Sequence, residues 1–345
     1  MGTTIPFAFL NNLNFVFLAI SVTFAQLLQM KEILLNNHTV LSEPSVATIG
    51  FFDGVHSGHR YLIEQVKHYA QKDHLASMVI TFDQHPRQLL HPEQSFHLLS
   101  STDMKLLLLS KTGIGEVVVL PFSKTIASLS AFDFMQQVLR DQLNVRRLVI
   151  GYDNRFGHNR QETFEDYVRY GREMGIEVVK SQEFLNDGMK VSSSVIRSLL
   201  LEGNIRLANK CLGYPFTVVG KVVGGYQEGR KLGFPTANLV LDEASQLLPQ
   251  PGVYAVWARL KHQMTMYKAM MNIGTRPTFQ GHVQTLEVNI FNFSDNIYGQ
   301  QLIVSFADRL RDEHCFTTPE ALSRQLDEDK QQAEACFERL KYKFY

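Results

Sequence analysis

Val46-Ala47-Thr48-Ile49-Gly50-Phe51-Phe52-Asp53-Gly54-Val55-His56-Ser57-Gly58-His59-Arg60 is the stretch that decides the fold. The apolar run Val46 to Ile49 reads as a buried strand, and Arg60 to Lys72 has helical periodicity, so the glycines and both histidines fall at a strand-to-helix junction. There the first backbone N–H groups of the helix lack partners and the helix dipole is positive, which favours phosphate. A histidine pair spaced H-x-x-H, with Gly58 allowing close backbone approach, can donate hydrogen bonds to a triphosphate and offset charge on a leaving pyrophosphate. Alone, the pattern also suits a capped turn with incidental histidines.

The same rhythm continues outward. Apolar runs at Val46 to Ile49, Met78 to Phe82, Val117 to Leu120, Leu148 to Ile150 and Ile176 to Val179 alternate with amphipathic stretches, predicting a parallel α/β sheet with helices on both faces. Ser130 with Asp133, and Thr163 before Phe164-Glu165-Asp166, mark helix starts. Functional loops in such sheets gather at the carboxyl ends of the strands. Three further ends carry polar clusters: Thr81-Phe82-Asp83-Gln84-His85-Pro86, Gly151-Tyr152-Asp153-Asn154-Arg155-Phe156-Gly157 and Lys190-Val191-Ser192-Ser193-Ser194-Val195-Ile196-Arg197. They are expected to converge on one rim with the histidine loop.

Beyond Gly203 and Gly213 the pattern changes. Phe216 to Val223, Ala237 to Leu241, Val253 to Leu260, Tyr267 to Ile273, Leu286 to Phe293 and Leu302 to Phe306 read as strands joined by turns, predicting a small six-stranded antiparallel barrel. A final helix is expected from Thr318, with Pro319 at its first position, to about Leu340. Gly220, Gly225, Gly229 and Gly233, with Arg230 among them, lead into Pro235-Thr236-Ala237-Asn238. Such glycines are ordinarily barrel bends. Thr236 and Asn238, however, offer two neutral oxygens on one strand face, an incomplete Mg²⁺ shell to be finished by ATP phosphates and water. A Walker-type phosphate loop is missing from the sequence.

Composition sets the frame. The 345 residues exceed a usual domain of ~100–200, so two domains are expected. Thirty-four Lys and Arg balance thirty-four Asp and Glu, so the overall charge steers the chain toward neither nucleic acid nor an anionic membrane. Cys211, Cys315 and Cys336 make no C-x-x-C pair, which argues against a disulfide framework or zinc site and for a reducing, cytoplasmic setting. Phe15 to Leu28 is uncharged and apolar, but polar residues interrupt it and a basic leader is missing. Residues 1–29 therefore read as a dispensable extension or, alternatively, as a peripheral or membrane-associated segment, and the fold reading begins at Met30.

Seven motifs occur in order: G-F-F-D-G-V-H-S-G-H, T-F-D-x-H-P, G-Y-D-x-R-F-G, V-S-S-S-x-I-R, G-R-x-L-G-F-P-T-A-N, N-I-G-T-R-P-T-F and L-E-V. Over about Lys31 to Tyr345 the chain thereby resembles the bifunctional bacterial riboflavin kinase/FMN adenylyltransferase family, also called FAD synthetase. The resemblance implies a Rossmann-like nucleotidyltransferase domain over 30–203, a linker helix over 204–213 and a riboflavin-kinase barrel with its C-terminal helix over 214–345. It implies ATP at two sites, Mg²⁺, and conversion of riboflavin to FMN and of FMN to FAD plus pyrophosphate. Riboflavin, FMN, FAD and ATP are then the partners, with neither nucleic acid nor membrane among them; the oligomeric state stays open.

The family's roles carry over residue by residue. Gly50, Phe51, Asp53, Gly54, His56, Gly58 and His59 would cradle ATP, with His56 and His59 acting in adenylyl transfer; Lys190, Ser193 and Arg197 would hold phosphate from the other side, and Asp153 would face the nucleotide and FMN. In the barrel Gly225, Gly229, Arg230, Gly233 and Pro235 would bound the ATP site, while Thr236 and Asn238 bind Mg²⁺ and phosphate oxygens. Glu287, in Leu286-Glu287-Val288, would be the general base that takes the proton of the riboflavin 5′-hydroxyl. Without the resemblance, a Glu on an alternating strand reads as an outward, solvated residue. Asp83, His85, Asn154 and Arg309 are candidate flavin contacts, and Asn154 stands where the family commonly has Phe.

Rival readings are a nucleotidyltransferase for another small phosphate ester, which leaves the P-T-A-N barrel without a purpose, and a flavin-binding sensor, which needs no base at Glu287. A class I aminoacyl-tRNA synthetase relative fails for want of a K-M-S-K-S-like loop and a basic RNA-binding segment. Trp257 and the Met270-Met271 pair read as packing, and His314 with Cys315 makes no metal site.

Overall fold

Strands β1 (Lys31–Leu34), β2 (Ser45–Ile49), β3 (Ala76–Phe82), β4 (Glu116–Leu120), β5 (Val145–Ile150) and β6 (Glu177–Lys180) form an all-parallel sheet of order β1-β4-β3-β2-β5-β6. The protein is seen here as a computed structural model that describes residues 30–90, 96–152, 154–158, 161–225, 229, 232–278 and 281–342. The expected extension over 1–29 lies outside the described residues. The helices are α1 (Ser57–Asp73), α2 (Pro86–Leu90), α3 (Thr102–Ser110), α4 (Lys124–Ser128), α5 (Ala131–Phe134), α6 (Phe164–Met174), α7 (Ser193–Leu201), α8 (Ile205–Leu212) and α9 (Pro319–Tyr342).

Every residue of β2 and β4 is buried, as befits strands covered on both faces. Alternation divides them: Val46, Val79, Val117 and Val119 pack with Leu62, Ile63 and Val66 of α1. Ala47, Ile49, Met78, Ile80 and Val118 pack on the other face with α5, α6 and the π-helical turn Met135–Gln142 that continues α5. The expected caps are in place, with Ser130 and Thr163 accepting from the N–H groups of Asp133 and Asp166 at 3.0 and 3.3 Å. The sequence reading lacked β1, a mostly exposed edge strand tied to β4 by the Lys31–Glu116 ion pair at 3.0 Å. From β2 the chain builds outward through β3 and β4, then returns to lay β5 against the other side of β2. The crevice above that reversal is the place where such sheets bind ligands.

After β6, the short antiparallel hairpin of β7 (Leu185–Asn186) and β8 (Met189–Lys190) leads into α7, and strands β9 (Thr217–Val223), β10 (Ala237–Leu241), β11 (Gly252–Leu260), β12 (Tyr267–Thr278), β13 (Gly281–Ile290) and β14 (Gln301–Arg311) close into an antiparallel barrel of order β10-β13-β12-β11-β14-β9. β13 starts earlier than the apolar run suggested and stops at Ile290, paired through Thr278–Gly281 to a lengthened β12. Pro277 and the polar Gly281-His282-Val283-Gln284-Thr285 hide this ladder from a pattern reading. Thr318 caps α9 through the Ala321 N–H at 3.2 Å, and Ala333, Cys336 and Phe337 pack it on the barrel. Arg311 forks onto the fully buried carboxylate of Asp329 at 2.8 and 2.7 Å. Trp257 meets Phe337 with ring centres 5.2 Å apart, and Met270 and Met271 are core residues. One apolar cluster runs from the α1 face of the sheet through Ile196, Leu200, Ala208 and Leu212 to Phe216, Val218 and Tyr254 of the barrel. No helix among the described residues is long and apolar enough to cross a membrane.

Candidate active site

Between β2 and α1 the chain makes a 3-10 turn at Asp53–Val55, with φ of +56° at Phe52, +72° at Gly54 and +36° at Val55. Positive φ at a β-branched Val is costly, so neighbours must hold the turn. Gly54 N–H donates to Ser100 Oγ at 3.1 Å and Val55 N–H to the Phe52 carbonyl at 3.0 Å. The Val55 carbonyl accepts from Arg60 Nε at 3.1 Å, and the Asp53 carbonyl accepts from the Ser193 hydroxyl at 3.2 Å.

His56 caps α1, its Nδ1 accepting from the His59 N–H at 3.3 Å, which leaves Nε2 as the protonated nitrogen of the neutral ring. The two imidazoles stack with centres 3.6 Å apart. A Cβ on Gly58 would lie 3.3 Å from the His56 ring, so only glycine leaves that ring its full clearance. Burial, then Arg60 and Arg197, lowers His56 to about 3. Burial and His56 hold His59 well below its ordinary value. His59 Nδ1 is buried with no hydrogen-bond partner among the described residues, an orphan that asks for an external acceptor or donor.

A cavity of about 710 Å³ opens at the crevice, lined by Gly50, Phe51, Asp53, His56, Gly58, His59, His85, Asn154, Lys190, Ser193 and Arg197. The four loops expected at one rim thus meet there. Asp53 is 3% exposed, and its carboxylate accepts from Leu99 and Ser100 N–H at 3.0 and 3.2 Å and pairs with Arg197. Burial pushes the Asp53 carboxyl upward against the pull of Arg197 and those N–H groups. Arg197 also donates to the His97 carbonyl at 2.9 Å and lies 4.6 Å from the Phe96 ring centre, so its fork is fixed at the cavity edge. His85 meets Phe96 at 4.0 Å and Phe51 at 4.5 Å, an aromatic wall. Asn154 is turned to the Ile49 carbonyl at 2.5 Å. Asp83 does not line the cavity; it accepts from Phe122 N–H at 2.9 Å and ties two loops. Asp153 lies outside the described residues.

Sequence reasoning missed Lys105. It is 1% exposed, donates to the Phe82 carbonyl at 2.7 Å and lies 4.1 Å over the Phe51 ring, with burial lowering its ammonium to about 8. Its place inside Leu-rich Met104-Lys105-Leu106-Leu107-Leu108-Leu109 was the available signal. Phe96, Phe122, Phe134 and Phe184, scattered in sequence, complete the apolar lining.

On the barrel, strand register sets Glu287 between Asn238 of β10 and Asn272 of β12, all three half-buried while Leu286 and Val288 point inward. Asn272, the first residue of the N-I-G-T-R-P-T-F motif, was not singled out from the sequence. A Cβ on Gly225 would meet Asn238 Nδ2 at 2.0 Å, and one on Gly229 would meet the Phe234 carbonyl at 2.4 Å. Gly233 has φ of +82°. A second cavity, of about 520 Å³, is lined by Val222, Pro235, Thr236, Ala237, Val288, Phe293 and Tyr298; Asn238 and Glu287 stand outside it. Arg309 lines neither cavity; it donates to the Pro251 carbonyl at 2.8 Å and to Asp312 at 2.6 Å. Arg230 lies outside the described residues, and among the described residues no three His, Cys, Asp or Glu cluster as metal ligands.

A parallel sheet with a histidine-bearing, nucleotide-sized crevice at its switch point, continued by a closed barrel with a P-T-A-N corner, defines a two-module transferase of nucleotides and phosphate. Known families match both halves: FAD synthetase over residues 39–195 and riboflavin kinase over 212–337. The bifunctional riboflavin kinase/FMN adenylyltransferase of Haemophilus influenzae is 35% identical over 303 residues, 88% of this chain and 97% of its own. That of Bacillus subtilis is 34% identical over 304 residues, 86% of this chain and 94% of its own. A crystal structure described as a macrolide-efflux protein from Streptococcus pneumoniae superposes with a TM-score of 0.81 at 34% identity, covering 88% of this chain and 98% of that one. The likeness extends to both modules; the efflux description belongs to that protein. The chain belongs to the bifunctional riboflavin kinase/FMN adenylyltransferase family. It is a flavin-biosynthesis transferase that combines the two activities and uses ATP, riboflavin and FMN.

Proposed function

We propose that the activities are divided between the modules, with adenylyl transfer at the rim of the sheet in module 30–203 and riboflavin phosphorylation on the barrel in module 214–345, joined by 204–213. The observation that carries this reading is the meeting of four distant loops, with the stacked His56 and His59, on one cavity of about 710 Å³. At that rim an oxygen of the FMN phosphate attacks the α-phosphorus of ATP; the new P–O bond forms as the α–β bridge breaks and pyrophosphate leaves. Because burial keeps both imidazoles neutral, they serve as hydrogen-bond partners to phosphate oxygens and gain protons only as negative charge arrives. Lys190 and Arg197 face that charge from the other wall, with Asp53 as the brace that aims Arg197. The wall of Phe51, His85 and Phe96 suits a flat ring system.

On the barrel Glu287 accepts the proton of the riboflavin 5′-hydroxyl as that oxygen attacks the γ-phosphorus of ATP and ADP leaves. Thr236 and Asn238 would hold Mg²⁺ together with phosphate oxygens. The donor set suits such a cation, because Thr236 and Asn238 present neutral side-chain oxygens at half-buried positions two residues apart and leave the remaining places to phosphate oxygens and water. Mg²⁺ held there would offset charge on the transferring phosphoryl group. A cytoplasmic setting accords with three cysteines that are all free.

The test is an HPLC time course with riboflavin or FMN, ATP and Mg²⁺. Glu287→Ala is expected to lose FMN formation and keep FMN-to-FAD conversion, and His59→Ala the reverse. Equal loss of both activities in either folded variant would defeat the division; no product from wild-type protein would favour the sensor.

A further inference from the structure

The strained turn at the histidine loop is held partly from outside the sheet. Of its backbone polar groups, the Gly54 carbonyl accepts from the phenol of Tyr214 at 2.5 Å. Tyr214 follows α8, is 8% exposed, and has the Arg60 guanidinium 5.4 Å from its ring centre. Burial raises its pKa far above the ordinary tyrosine value, so it is a donor at any working pH. A second strut reaches the turn through Asp53, whose carboxylate holds Leu99 and Ser100. That segment is bridged to the barrel module: Leu98 N–H donates to the Ser245 carbonyl at 2.8 Å and Leu247 N–H to the Leu98 carbonyl at 2.7 Å. Gln246 Nε2 donates to the Leu99 and Thr217 carbonyls at 3.3 and 2.8 Å.

We propose that Tyr214 is a positioning residue for adenylyl transfer: by donating to the Gly54 carbonyl it fixes the left-handed turn that sets His56 and His59 in the cavity, so that the second module completes the site of the first. The inference rests on the reading of the histidine loop as the adenylyl-transfer site. Without the hydroxyl the Gly54 carbonyl is buried and unpaired, and the turn loses a restraint against its strained φ angles. Misplacement of catalytic groups by ~1 Å can cost ~100-fold in rate. The effect belongs in kcat, because the histidines act most strongly as charge develops.

The experiment uses the full chain carrying Tyr214→Phe, with initial rates for FMN-to-FAD and for riboflavin-to-FMN measured separately. The expected result is a fall of about 10-fold or more in kcat for adenylyl transfer, with KM for ATP within ~2-fold and kinase kcat unchanged. Ser100→Ala removes the acceptor of the Gly54 N–H and is expected to give the same selective loss; the double variant should lose less than the product of the singles, because both restrain one turn. Ser100→Ala also carries the test if Tyr214→Phe does not fold. His59→Ala runs alongside. If it leaves FAD formation intact, the reading of the loop is wrong and the proposal goes with it. If it stops FAD formation while Tyr214→Phe and Ser100→Ala keep full kcat, or lose both activities equally, the positioning role alone is overturned.

Discussion

At the rim of the sheet, residues of β2, α1, α7 and the loops after β3 and β5 share a cavity although they are far apart in sequence, and several are held there by side chains from distant segments. On the barrel, Asn238, Glu287 and Asn272 are neighbours because three strands pair in register, and the ladder that makes the barrel makes the candidate site. The first design allows a larger site with buried imidazoles, but rests on braces such as Asp53–Arg197 and Tyr214–Gly54. The second is held by strand pairing alone. Remote substitutions should therefore disturb adenylyl transfer far more readily than riboflavin phosphorylation.

The largest break in that comparison is expected from Glu287→Ala, which should lower riboflavin phosphorylation by ~100–10,000-fold and leave FAD formation from FMN within ~2-fold, as read by separate rate assays. His59→Ala should lower adenylyl transfer by ~100–1,000-fold with the kinase intact. Gly225→Ala places a methyl group against Asn238 and should cut kinase kcat/KM by about 10–100-fold, a loss confined to the barrel.

A pH series sharpens the contrast further. His56 is lowered to about 3 in the folded chain from an ordinary 6.5, so the unfolded chain binds the extra proton between those values. Its contribution to stability is complete above pH 6.5 and is lost as pH falls toward 3, by up to about 1.4 kcal/mol per pH unit. Urea unfolding from pH 7.5 to 5 should show that slope, reduced in His56→Asn, which keeps a good helix cap. The smallest effect is expected from Asn154→Phe: about 1 kcal/mol of stability through the lost bond to the Ile49 carbonyl, with adenylyl transfer changed less than ~3-fold.

Much of this architecture was legible because its signals are local. The buried run Val46 to Ile49, the Ser130 and Thr163 caps and the alternating barrel strands each carry their own pattern, and the motif series orders them. β1 escaped because Lys31-Glu32-Ile33-Leu34 is a polar edge strand with a single half-buried side chain. The inward turn of Asp53 was not legible either, since a carboxylate in a glycine-rich loop looks the same whether it meets a ligand or two N–H groups of a distant segment. Arg309 likewise reads as a flavin contact, and its anchoring to Pro251 and Asp312 depends on the barrel's closure. Contacts made by single residues across long separations leave no periodicity to read.

One such contact also orders events in time. Gln246 reaches the Leu99 carbonyl across 147 residues, and Leu98 pairs with the chain on either side of it. During synthesis from the N-terminus, the strands of the sheet emerge and pair while the segment that braces Asp53 still has no mate. The histidine loop gains its full set of braces only after the residues through Leu247 have left the ribosome, so a nascent chain halted before Ser245 is expected to carry a folded sheet whose cavity rim lacks those contacts.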